Sequence, residues 1–288
     1  MDAKNLLIDS LDKQRAAYRE NLKLCRDEFS KKAVHDLRTS LRRLLATLDV
    51  IAFFTSASRI EKLSDRLKDQ LDGFSDLRDI QVMLDRVSED SNSLPDLEPF
   101  QNYLKKCEKR KRRTDEKHVE TIKPGGDQKR LLKIQEAVED LSADELDGKL
   151  PQAVDEAYLT VQQRYGDINP ENLASVHHLR VAFKNFRYMV EVIYLCLPNF
   201  PEAQLEQMHD YQTQMGNIHD LQVLLETLAE FAKDDDSTDS EPVRLFYEKA
   251  LDETLATFLR TKDEVLAFWR PTPLAAFPWQ SQPKKKGE

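Results

Sequence analysis

Two parts of this chain are written nearly twice. Residues 33–50 read AVHDLRTSLRRLLATLDV and residues 174–192 read ASVHHLRVAFKNFRYMVEV. His35 and His177 head matching runs in which Arg38 stands against Arg180, Arg42 against Lys184, and Leu37, Leu41 and Leu44 against Leu179, Phe183 and Phe186. A second pair, SDLRDIQVMLDRV at 75–87 and GNIHDLQVLLETL at 216–228, sets Asp79 against Asp220 and Gln81 against Gln222. The first offset is 142 positions and the second 141. Two independent matches at nearly one offset point to an internal repeat, and 288 residues leave room for two copies.

Each copy reads as helical. Apolar residues recur at helical spacing almost throughout, and no run alternates strictly between turn residues. With seven glycines and 33% charged residues the chain does not suit a β-sandwich or a glycine-rich nucleotide fold, and 40% hydrophobic residues are too many for a disordered one. The expected fold is all-α, with two four-helix bundles related by a pseudo-twofold axis. Each bundle would hold an opening helix, the His–Arg helix, a long helix bearing the D-[IL]-Q-V signature and a closing helix. Breakers place the first copy at 1–125, a connecting helix at 126–149, the second copy at 150–270 and a loose, proline-rich tail at 271–288. Asn169 followed by Pro170 predicts the start of the second His–Arg helix, because Asn can cap free N–H groups and Pro tolerates the first helical position.

At 100° per residue, Arg38 and Arg42 lie within about 60° of His35 around the helix, while Leu37, Leu41, Leu44 and Leu48 gather on the opposite side. Arg180, Lys184 and Arg187 repeat the arrangement beside His177, and Arg43 widens the first stripe. Each helix therefore offers a ladder of cationic donors, which suits an extended anion. A histidine among arginines reads as a neutral hydrogen-bond donor that becomes charged when the anion arrives. Further cations stand in KKCEKRKRR at 105–113, among them Lys105, Lys109 and Arg112. The whole chain carries a formal charge of −9, so a polyanion site has to be local.

Other functions find less support. A zinc site needs converging ligands, whereas cations flank both histidines, so neither a metal nor a cofactor is expected. Cys25, Cys107 and Cys196 are far apart and lack metal or redox spacing. The HD dipeptides at His209–Asp210 and His219–Asp220 leave open a metal-dependent phosphohydrolase, but no P-loop, nucleophile elbow or H-E-x-x-H motif accompanies them, and no catalytic residue is assigned. A helical scaffold for an acidic protein is a third reading. The opening residues lack a signal-peptide pattern and no run is apolar enough to span a bilayer, which predicts a cytoplasmic chain without a membrane partner.

Paired H-x-x-R-x-x-x-[RK] helices, each followed some 40 residues later by a D-[IL]-Q-V helix, resemble the CHAD family of histidine-containing α-helical domains over roughly residues 5–270. The resemblance implies two four-helix bundles whose basic helices line a shared groove or pore for inorganic polyphosphate. It also implies association with polyphosphate granules and protein partners there. The E-x-E-x-K motif of the catalytic domain that often accompanies the family is absent from this sequence. Carried onto this sequence, the anion-binding set is His35, Arg38, Arg42, Arg43, His177, Arg180, Lys184 and Arg187, with Asp79 and Asp220 as orienting carboxylates. Leu45 stands where the second copy has Arg187, and Asn185 where the first has Arg43, so the halves are expected to contribute unequally. Polyphosphate has no bases to stack, and the basic faces lack interleaved aromatics apart from Tyr188, which disfavours a nucleic-acid partner.

Overall fold

The structure, a computed structural model, describes residues 2–55, 57–92, 94–146, 148–234 and 239–280. Among these residues it contains helices and no strand. The chain begins with α1 (Ala3–Glu28), capped by the Asp2 side chain, and α2 (Lys31–Ala52), capped by Ser30, whose Oγ accepts from the Ala33 N–H at 3.1 Å. Phe29 between them has a φ of 40°, the left-handed conformation that ends α1, and its N–H closes onto the Cys25 carbonyl. That two-residue link folds α2 back along α1, and Leu37, Leu41, Leu44 and Leu48 of α2 are fully buried.

Where one long helix was expected next, the first half has two, α3 (Ala57–Asp72) and α4 (Ser75–Asp90), broken at Gly73–Phe74. A side chain on Gly73 would bring its Cβ to 2.9 Å from Nε2 of His118, so glycine is what lets the closing helix α5 (Glu98–Thr121) lie against the break. Then come α6 (Pro124–Glu139) and the single turn α7 (Ala143–Leu146). The expected connecting helix therefore appears as two pieces, and α6 packs on α1 and α3. Its Asp127 is fully buried, paired with Arg66 of α3 at 3.1 Å.

The second half runs α8 (Leu150–Gly166), α9 (Leu173–Ile193), α10 (Ala203–Asp234) and α11 (Glu241–Thr261). Here the long helix is continuous. Where α2 buries Leu41 and Leu44, α9 buries Phe183 and Phe186, which meet Tyr211, Phe268, Tyr158 and Trp269. The start of α9 is three residues later than expected, with Asn172 as the cap, its Oδ1 accepting from Ala174 N–H at 3.2 Å. Asn169 instead closes a preceding turn onto the N–H of Glu171, so the Asn-Pro pair marks the approach to the helix.

The segment expected to be loose from residue 271 is exposed over 271–274 but anchored around Phe277 and Trp279. Trp269 is fully buried, and its Nε1–H donates to Asp155 of α8 at 2.8 Å, the carboxylate that Arg270 also grips with two of its nitrogens. Beyond them Phe277 stacks on Trp279 with ring centroids 4.5 Å apart, and Trp279 Nε1–H donates to the Pro198 carbonyl. Aromatic burial overrides the proline content here. Residues 281–288 of the expected tail lie outside the described residues.

Candidate functional site

The helices α2 and α9 pack on each other, and α4 and α10 meet beside them. Four helices thus enclose a seam, and each brings charged groups into it. From α2 come Arg38 and Arg42, and from α9 His177, Arg180 and Lys184. Asp79 and Arg78 enter from α4, and His219 and Asp220 from α10.

The seam holds more cations than its carboxylates neutralise, and the protonation equilibria register it. Burial, then the neighbouring guanidiniums of Arg42, Arg180, Arg38 and Arg187, pushes the half-buried Lys184 ammonium down to about 6. Burial and the field of Arg42 push Arg38 down to about 10, against the attraction of Asp79. Arg42 is lowered by burial too, partly offset by the Tyr188 hydroxyl to which it hydrogen-bonds across the helix pair. Arg180 is lowered by burial, opposed by both Asp220 and Asp79. The two aspartates respond to the same desolvation: burial raises Asp79 and Asp220 above the usual carboxylate range although cations face both.

The histidines form a pair across two helices. Nδ1 of His177 lies 3.3 Å from Nδ1 of His219, with ring centroids 4.9 Å apart. Burial, Arg180, His178 and Lys184 lower His177; burial, Arg180, His177 and Lys184 push His219 down to about 4. Both rings are therefore neutral at pH 7 and can each present a hydrogen-bond donor without adding charge.

Not every expected residue faces the seam in the same way. Arg38, 6% exposed, is committed to the protein: its Nη1 donates to the Leu71 carbonyl at 2.8 Å and to Ser75 Oγ at 3.1 Å, bridging the break between α3 and α4. Arg187 is equally enclosed, with Nη1 donating to Glu191 at 2.6 Å, Nε donating to Gln212 at 2.9 Å and its guanidinium over the Tyr188 ring. Glu191 also reaches the exposed Arg43 of α2 at 3.7 Å, closing that end of the seam. His35 lies on the surface, its Nδ1 3.3 Å from Asp36 Oδ1. Lys105, Lys109 and Arg112 are on the exposed side of α5; Lys105 donates to Gln101, and Arg112 pairs with Glu116.

Three seam residues were not singled out from the sequence as ligands: Arg78, His219 and Tyr188. The first two had a signal. They occupy one aligned position, directly before Asp79 and Asp220, so the second-copy HD dipeptide corresponds to Arg-Asp in the first. His209 and Asp210, the other HD pair, are exposed on α10. Among the described residues no three His, Cys, Asp or Glu side chains are grouped as metal ligands would be.

Chemically, the arrangement can hold a negatively charged group among Arg180, Lys184, Arg42 and Arg78, with neutral imidazoles as further donors and the aspartates orienting the guanidiniums. The profile of the CHAD domain matches residues 9–229 of the chain. No curated protein matches it. Among solved structures, the CHAD domain from the plant Ricinus communis is similar at 16% identity and a TM-score of 0.63, over 92% of this chain and 89% of that one. PptA from Streptomyces chartreusis is similar at 13% identity and a TM-score of 0.66, over 92% of this chain and 98% of that one. At such identities the likeness is one of fold.

Proposed function

Because this chain belongs to the CHAD family, we propose that its seam binds inorganic polyphosphate without turning it over, both halves of the chain (1–125 and 150–270) contributing to one site. The observation that carries this reading is the seam between α2, α9, α4 and α10, where, among the described residues, Arg42, Arg78, Arg180 and Lys184 share only Asp79 and Asp220 and where burial and the neighbouring guanidiniums push Lys184 down to about 6. Such an excess of buried positive charge destabilises the free protein and is relieved by a ligand of dense negative charge. A linear polymer of phosphates supplies that charge repeatedly and needs no aromatic platform.

The anion-binding set in this proposal is Arg42, Arg78, Arg180, Lys184, His177 and His219. Arg38 and Arg187 act through the framework they fix, and Asp79 and Asp220 orient their cationic neighbours. In the cell, binding of this kind fits association with polyphosphate granules in the cytoplasm, alongside other proteins held there.

Titration with long-chain polyphosphate, orthophosphate and single-stranded DNA at several salt concentrations tests the reading. Affinity is expected to rise with polymer length and to fall steeply with salt, by the counterion release known for nucleic acids. Equal affinity for orthophosphate and the long polymer overturns it. Hydrolysis of polyphosphate with added Mg²⁺ or Mn²⁺, abolished by His209→Ala, would establish the phosphohydrolase reading. Preferential binding of an acidic polypeptide would establish the scaffold.

A further inference from the structure

Some cations near the surface of this protein pair with a carboxylate about one helical turn away. Arg15 pairs with Asp12, Arg86 with Asp90, Arg164 with Asp167, Lys249 with Glu253, and Arg244 with both Glu241 and Glu248. The outer face of α5 gathers several cations that have no such partner. Lys106, Lys109, Arg113 and Lys117 are all exposed and make no ion pair or hydrogen bond among the described residues. At 100° per residue, Lys106, Arg110, Arg113 and Lys117 fall within about 60° of one another, a stripe on the order of 16 Å long, with Lys109 on its flank.

Like charges at i,i+3 and i,i+4 destabilise an isolated helix, and this stripe stacks several such pairs on a chain whose net charge is −9. The buried side of α5, by contrast, is anchored by Phe100, Leu104 and Val119, so the stripe cannot turn inward. Between the stripe and the central seam runs a groove of about 600 Å³ lined by α4, α5 and α10. Arg110 and Lys111 stand on its α5 side, but Asp76, Asp79 and Glu230 also line it. Lys111 is drawn down to Asp76 at 3.1 Å and to the buried Asp115 at 3.4 Å. The groove's carboxylates repel a polyanion, so the two cationic surfaces are separate sites and not one continuous track.

We propose that the solvent face of α5, centred on Lys106, Arg113 and Lys117, is a second docking surface for the same linear polyphosphate that occupies the seam. The inference rests on the reading of the seam as a polyphosphate site. One long chain engages both surfaces, the second contact being intramolecular once the first is made, whereas a short chain reaches only the seam. The α5 surface is thus what makes the protein discriminate by chain length.

The test compares wild type, the triple variant K106Q/R113Q/K117Q and the seam variant Lys184→Gln, each titrated with tripolyphosphate, long-chain polyphosphate and single-stranded RNA. The triple variant is expected to keep its affinity for tripolyphosphate and to lose about tenfold for the long chain. Its log–log salt dependence for the long chain should be shallower by about two units. Its thermal midpoint should not fall, since like-charge repulsion has been removed. Unchanged long-chain affinity overturns the α5 proposal, even if Lys184→Gln abolishes tripolyphosphate binding and so upholds the seam. Loss of RNA binding alone assigns the stripe to nucleic acid and overturns it as well. If the triple variant loses the long chain while Lys184→Gln changes nothing, the stripe stands and the reading of the seam falls.

Discussion

Nδ1 of His177 on α9 and Nδ1 of His219 on α10 lie 3.3 Å apart, so at most one of these atoms can carry a hydrogen directed at the other. With Arg180 and Lys184 beside both rings, a proton on either histidine is disfavoured until an anion enters. A group whose pKa is higher in the complex than in the free protein takes up a proton as ligand binds, and affinity then rises as pH falls between the two values. For Lys184 that interval opens upward from about 6, and for His219 from about 4. Polyphosphate binding at pH 7 is therefore expected to absorb protons, chiefly onto Lys184. Calorimetric titration in buffers of different ionisation enthalpy measures the uptake; binding enthalpies independent of buffer would contradict it.

Replacing Lys184 by methionine should weaken polyphosphate binding and stabilise the free protein. The unfolded chain binds a proton on this lysine up to about 10.4, the folded one only up to about 6. Across that interval the unfolded state holds more protons, so wild-type stability rises with pH, and the variant should flatten the rise. Its thermal midpoint at pH 7 should be higher by roughly 2–4 °C for each kcal/mol of strain relieved. A lower midpoint would mean that the ammonium is a structural element.

Arg38 and Arg180 align in the sequence but should respond differently to truncation. Arg38→Ala removes two charge-assisted bonds at the α3–α4 break and should lower the midpoint by roughly 5–10 °C. Arg180→Ala should leave the midpoint within a few degrees and weaken binding at least about tenfold. Parallel melting curves and titrations of the two variants decide the matter, and equal loss of stability would undo the distinction.

The carboxylate of Asp155, 8% exposed, accepts from Trp269 and Arg270 and so fastens the C-terminal segment to α8. Asp155→Ala leaves Arg270 without its buried partner and should destabilise the protein by about 3–5 kcal/mol. Urea unfolding should show a lower midpoint with an unchanged slope. Polyphosphate affinity of the folded fraction should be unaffected, because this lock lies apart from the seam residues.

The apolar stripes were the most legible part of the fold, because period alone assigns Leu37, Leu41 and Leu44 to a buried face. The break at Gly73–Phe74 was not legible, since it depends on His118 approaching from a helix more than forty residues away. The same limit affected the site. A helical projection set Arg38 opposite the leucines as an anion ligand, yet its guanidinium is buried and bonded to Leu71 and Ser75 at the α3–α4 break. His35 and the α5 cations were visible as charge, but their direction is a tertiary property. Arg78 and His219 could have been found by asking what precedes the aspartate in each copy.

The interrupted helix has a consequence for how freely the two halves could be exchanged. At the break, the Leu71 carbonyl captures Arg38, while α10 runs unbroken past the corresponding place and leaves Arg180 to face Asp220 and Asp79. A chimaera built from two second halves would have two continuous helices and no carbonyl acceptor for its first arginine. That arginine would instead be balanced by aspartates alone, as Arg180 is, and would be free to turn toward the seam. The break thus makes two aligned arginines unequal: Arg38 is anchored to backbone, whereas Arg180 is balanced by carboxylates.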